Sequence, residues 1–101
     1  MKKVKIALIG AGFISDYHAR GLQTIPEVEI VAVVSKNLEN AEKFALKYNI
    51  QEALNDIAPL VANPDLDAVI ISTPNQFHVP YAIAFLEQGK DVFLEKPMGM
   101  N

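Results

Sequence analysis

Val4-Lys5-Ile6-Ala7-Leu8-Ile9-Gly10-Ala11-Gly12-Phe13-Ile14-Ser15 is the stretch that decides the fold. Its first half is a near-continuous aliphatic run, the pattern of a strand buried on both faces. The run stops at Gly10, and a helical pattern begins within a few residues. Gly10 permits a tight turn, and Gly12 leaves the backbone bare where a diphosphate would approach. The N–H groups of Phe13 and Ile14 open the helix without intrahelical acceptors. Together with the helix dipole they favour an anion. Ser15 stands where a third glycine or alanine is usual, and it is small enough for close packing of helix on strand. Gly10, Gly12, Phe13 and Ile14 are therefore candidate dinucleotide-binding residues. A glycine turn with no ligand has the same letters; the strand before it and the helix after it give the motif its weight.

Working outward, the same alternation repeats. Ile14, Tyr17, Leu22 and Ile25 recur at helical spacing up to the breaker Pro26. Val28 to Val34 reads as a second strand. Asn37 can cap a helix with the apolar stripe Leu38, Ala41, Phe44, Ala45 and Tyr48. Ile50 to Glu52 is a candidate short edge strand. Ile57, Leu60 and Val61 predict a short helix, irregular at Pro59. Ala68 to Ser72 is a strand, and Thr73-Pro74-Asn75 a loop. Val79, Ala82, Ile83 and Leu86 mark a helix that takes Pro80 in its first turn and ends at Gly89. Asp91 to Leu94 is the last strand. Strands separated by helices pair in parallel, because each crossover restores the direction. The predicted fold class is α/β: a parallel, Rossmann-type sheet of about five strands with helices on both faces.

Composition narrows the function. The chain has 101 residues, the size of one domain spanning residues 1–101. Hydrophobic residues make up 50% and charged ones 21%, which is globular rather than disordered usage. Nine Lys and Arg against 12 Asp and Glu give a formal charge of −3, so a general nucleic-acid binder is not expected. With no cysteine there is no disulfide, thiolate metal site or thiol nucleophile, which suits a cytoplasmic protein. Only two histidines are present, and no metal site is expected. No apolar run approaches membrane-spanning length. The basic-then-apolar start is read as a buried strand, because Gly10 and Gly12 interrupt it.

The tip of the second strand bears on cofactor choice. An acid there would grip a ribose 2′-hydroxyl and favour NAD. Instead Val34 runs into Ser35-Lys36-Asn37, with no carboxylate. A hydroxyl and an ammonium can hold a 2′-phosphate by a hydrogen bond and an ion pair. Ser35 and Lys36 therefore point to NADP, with NAD left open, since a turn-forming serine and a solvated lysine would look the same.

Thr73-Pro74-Asn75-Gln76-Phe77-His78 and Glu95-Lys96-Pro97 follow the carboxyl ends of the last two strands. Ligands of open parallel sheets bind beyond those ends, so both segments face the crevice of Gly12. With these residues the chain resembles the N-terminal nucleotide-binding domain of the Gfo/Idh/MocA oxidoreductases. The resemblance rests on Gly10-Ala11-Gly12, Ser35-Lys36-Asn37, Ala68 to Asn75 with His78, and Gly89 to Pro97, and it covers essentially the whole chain. It implies a dehydrogenase of sugars, cyclitols or related hydroxy compounds. It further implies that Thr73, Pro74, Asn75 and His78 line the cofactor crevice, and that Glu95 and Lys96 border the nicotinamide and its ribose. Lys96 would be the lysine assisting proton transfer at the substrate carbinol, because a proton must leave oxygen as hydride leaves carbon.

Members of that family continue into an α+β substrate domain, which this sequence lacks. The expectation is thus an incomplete Rossmann domain. It would bind a dinucleotide, but meet a polyol or sugar-like substrate only if a C-terminal domain is present, and be inactive alone. Val92 to Leu94 would form an exposed apolar edge that invites a homodimer or larger assembly. Two competing functions are a non-catalytic module for nucleotide binding or self-association, and a turn that takes another nucleotide such as an S-adenosyl compound.

Overall fold

The computed structural model describes residues 3–10, 12–72 and 78–94, with the backbone alone at 13, 14, 78 and 79. Among the described residues five strands alternate with four helices. They are β1 (Val4–Ile9), α1 (Phe13–Leu22), β2 (Val28–Val34), α2 (Leu38–Tyr48), β3 (Glu52–Leu54), α3 (Ala58–Val61), β4 (Ala68–Ile71), α4 (His78–Glu87) and β5 (Asp91–Leu94). All pairings are parallel, in the order β3-β2-β1-β4-β5. The expected α/β fold is what forms. The chain winds outward from β1 through β2 to β3, then returns to the other side of β1 for β4 and β5. The switch point therefore lies between β1 and β4.

Each face of the sheet has its own core. Ile6, Leu8, Val33, Ala68 and Ile70 meet Ala19 of α1 and Ala41, Phe44, Ala45 and Tyr48 of α2. On the opposite face Ala7, Ile9, Ala32, Val34, Val69 and Ile71 meet Leu60 of α3 and Ala82 and Phe85 of α4. Successive residues of β1 and β4 thus point alternately into both cores, which is why these strands read as continuous apolar runs. Between Ile6 and Ala7 the register against β2 jumps from Ile30 to Ala32. Val31 is therefore an extra residue, and this bulge keeps Ala32, Val33 and Val34 in phase with the two cores.

Several sequence expectations shift. In α1, Tyr17 is 68% exposed, while the face on the sheet carries Ser15, Ala19 and Leu22. Small side chains at 15 and 19 let the helix lie close to the strands, so spacing alone misassigned the stripe. Leu38 of α2 is also exposed, although the rest of its predicted stripe is buried. In α4 the buried pair is Ala82 and Phe85, whereas Ile83 and Leu86 face outward. That helix is apolar around most of its circumference, and Phe85, bulkier than Ile83 or Leu86, takes the core. The edge strand forms at Glu52–Leu54, two residues later than expected, with Ile50 buried ahead of it. Pro59 falls in the first turn of α3 and interrupts nothing.

The rim at the amino ends of the strands is closed by Lys90, which is buried. Its ammonium donates to the carbonyls of Asn63 and, at 3.2 Å, Leu66. Turn carbonyls after α3 thereby gain a cationic donor, and the start of β5 is fixed to them.

Candidate functional site

The opposite rim carries those candidate residues that the structure describes. Ile9 lies beside Val34 on one side and Ile71 on the other, Val34 lies beside Leu54, and Ile71 lies beside Leu94. The five carboxyl ends therefore form one row, and Gly10, Ser35 and Ser72 emerge from it side by side. The Gly10 N–H donates to the Val34 carbonyl at 2.6 Å, and the Ser72 N–H to the Ile9 carbonyl at 2.9 Å. The ladder thus extends one residue past the strands, into the turns themselves.

Gly10 has φ +115°, a conformation L side chains rarely adopt. A Cβ there would lie 3.1 Å from the Ser72 Oγ and 3.3 Å from its carbonyl carbon. Both backbone and neighbour demand glycine. Gly12 differs: it is the N-cap of α1, it is exposed, and a Cβ on it would meet nothing within 4 Å. Among the described residues no side chain caps this helix, whereas the Asn37 side chain accepts from the Asn40 N–H at the start of α2. Open space over a bare N-cap and uncapped first-turn N–H groups is an environment that fits a diphosphate. Gly10, Gly12 and the backbone of Phe13 and Ile14 could hold it.

At the tip of β2, the Ser35 N–H donates to the Leu54 carbonyl. The Ser35 hydroxyl accepts from the Asn37 N–H at 3.3 Å, and keeps its own proton to give. Lys36 is exposed beside it. His78 opens α4, as its place near a helix start suggested. Thr73, Pro74, Asn75, Glu95 and Lys96 lie outside the described residues.

Two arrangements behind the rim were not read from the sequence. The Oγ atoms of Ser15 and Ser72 lie 2.7 Å apart, and Ser15 is buried. A hydroxyl where glycine or alanine is usual was the available signal, since a buried hydroxyl requires a partner. The second arrangement ties α1 to α2. The Asp16 carboxylate accepts from the Tyr48 hydroxyl and, at 2.9 Å, from the Lys47 ammonium, with Arg20 at 3.7 Å. These donors, Tyr48 first and Lys47 next, hold the Asp16 carboxyl below the usual aspartate value. Burial, then the Asp16 carboxylate, pushes the Tyr48 phenol up. Among the described residues no group of three or more His, Asp or Glu is placed to hold a metal ion, and no helix is long and apolar enough to cross a membrane.

Residues 4–101 match the family model described as an oxidoreductase family with an NAD-binding Rossmann fold, Gfo/Idh/MocA. The chain belongs to this family. It is 41% identical over 95 residues to 4-carboxy-2-hydroxymuconate-6-semialdehyde dehydrogenase of Sphingobium sp., which covers 94% of this chain and 30% of that protein. It is 35% identical over 98 residues to an NADP(+) scyllo-inositol 2-dehydrogenase of Bacillus subtilis, covering 97% of this chain and 30% of the relative. Among solved structures, levoglucosan dehydrogenase in complex with NADH superposes with a TM-score of 0.89 at 28% identity, over 95% of this chain and 28% of that one. The chain thus spans about three-tenths of the length of these family members. What it shares with them is the NAD(P)-binding Rossmann part.

Proposed function

We propose that this chain supplies the cofactor-binding half of an oxidoreductase that moves hydride between a nicotinamide and a sugar, cyclitol or related hydroxy compound. The observation that carries the reading is the bare, uncapped N-terminus of α1 over Gly12, standing at the switch point of the parallel sheet. The N–H groups of residues 12–14 would hold the cofactor's diphosphate. Ser35 and Lys36 take the 2′-phosphate of NADP: the hydroxyl donates its proton and the ammonium pairs with the charge. Thr73, Pro74, Asn75 and His78 are assigned to cofactor contact on the resemblance of their segment to the family. When bound, the nicotinamide supplies the hydride acceptor or donor. Glu95 borders it, and Lys96 holds or accepts the carbinol proton. Two of the named relatives are a scyllo-inositol dehydrogenase and a levoglucosan dehydrogenase, which supports that substrate class. Orientation and water exclusion are the work of a substrate domain, so residues 1–101 alone bind a dinucleotide without turning over.

Titration with NADPH, read by its fluorescence, tests the proposal. Saturable binding that NADP competes away is expected, and absence of binding removes the reading. Ser35→Asp should shift preference toward NAD by at least about ten-fold, by placing a carboxylate on the 2′-hydroxyl and against a 2′-phosphate. An unchanged NAD/NADP ratio would remove the assignment of Ser35. In a polypeptide that carries a substrate domain, Lys96→Ala should abolish turnover and leave dinucleotide affinity within a few-fold. Loss of both together would contradict its role in proton transfer.

A second reading, self-association, is favoured by the apolar side chains near the β5 edge. Phe93 and Leu94 are 60% and 52% exposed, and Ile83 and Leu86 of α4 are exposed too. A second copy of the chain is the proposed occupant of this surface.

A further inference from the structure

The Ser15 and Ser72 hydroxyls cross the switch point beneath the mouth of the crevice. Ser15 lies in the first turn of α1, and Ser72 directly follows β4. Their Oγ atoms are 2.7 Å apart, and the Ser72 Oγ lies 3.4 Å from the Ile9 carbonyl. Each hydroxyl has one proton. If Ser72 gives its proton to Ile9, Ser15 must donate to Ser72, and a one-way chain runs from helix to β4 to β1. Ser15 is 1% exposed, so it touches no ligand. The space is also closed from the β1 side, since a Cβ at Gly10 would crowd the same Ser72 Oγ. Three backbone segments that open the rim (the end of β1, the start of α1 and the end of β4) therefore converge on one oxygen.

We propose that Ser15 and Ser72 are positioning residues for the dinucleotide, fixing the α1 N-terminus against the end of β4 so that one ligand can engage both walls of the crevice. This rests on the dinucleotide reading above. The cost of losing the link falls on ligands long enough to span the switch point. A short ligand held only at the tip of β2 does not sample that spacing.

The test compares NADPH with 2′-AMP, which carries the adenosine and 2′-phosphate but no diphosphate or nicotinamide. Both are titrated into the parent chain, Ser15→Ala, Ser72→Ala and the double variant. The expected result is a loss of NADPH affinity of about five-fold or more in each single variant, the scale of one neutral hydrogen bond. Affinity for 2′-AMP should stay within about two-fold, and the double variant should be little worse than the weaker single one, because both changes break the same link. If NADPH and 2′-AMP weaken in the same ratio, or neither weakens, the pair only supports the fold and the proposal is overturned. If Ser15→Ala does not fold, the Ser72→Ala ratio decides. A parent chain that binds 2′-AMP but not NADPH overturns the dinucleotide reading, and the positioning role falls with it. Failure of the parent to bind either one overturns the dinucleotide reading with it.

Discussion

Adding one methyl group at Gly10 and at Gly12 tests two different requirements of the same turn. At Gly10 the backbone has φ +115° and the new carbon would stand 3.1 Å from the Ser72 Oγ. Gly10→Ala should cost about 2 kcal/mol or more, from strain and crowding together. Urea denaturation measures it as a lowered midpoint. At Gly12 the new carbon meets nothing within 4 Å. Gly12→Ala should cost less than about 1 kcal/mol, the scale of an N-cap change. Its methyl would project where a diphosphate must approach, so NADPH affinity should fall at least about ten-fold. Undiminished binding by the Gly12→Ala variant would contradict the assignment. The two glycines were legible because their requirement is local: a turn and a bare N-cap after a strand. The Ser15–Ser72 contact was not, because it joins residues far apart in the chain and nothing in either local pattern names the other.

Between elements, a carboxylate of α1 binds two side chains of α2. Asp16 has its pKa depressed by the Tyr48 and Lys47 donors below the ordinary aspartate value of 3.8. The folded protein therefore binds this proton less readily than the unfolded chain. The tie contributes fully above that ordinary value and is lost as pH falls through the lowered one. Asp16→Asn should flatten the fall in stability between pH 7 and the acid side of that value, read as denaturant midpoints at each pH. An acid limb as steep as the parent's would show that other carboxylates set it. Periodicity found every helix yet misjudged which side of two of them is inward. In α1 the small residues Ser15 and Ala19 face the strands, and in α4 Phe85 outcompetes Ile83 and Leu86. Apolar spacing reports how many faces can be buried. Close approach and side-chain bulk decide which one is.

At the scale of the molecule, the sheet has unequal flanks. β5 ends the order with Phe93 and Leu94 exposed, while β3 at the other edge is three residues long. Phe93→Lys should abolish self-association, since a charge on an edge strand opposes pairing with another chain. Sedimentation should show the parent shifting to a larger species as concentration rises and the variant remaining monomeric. A parent that stays monomeric throughout would remove the second reading. Parallel strands and intervening helices were legible because each crossover dictates direction. The order β3-β2-β1-β4-β5 was not, since periodicity says nothing about which strand returns beside which. Nor was the one-residue jump opposite Ile6 and Ala7, which depends on pairing alone. That jump makes the middle of β2 tolerant of a shortening that a regular strand could not absorb. Deleting Val31 would take out the unpaired residue, let Ile30 and Ala32 follow one another against Ile6 and Ala7 without an offset, and leave every remaining side chain in the core it already occupies.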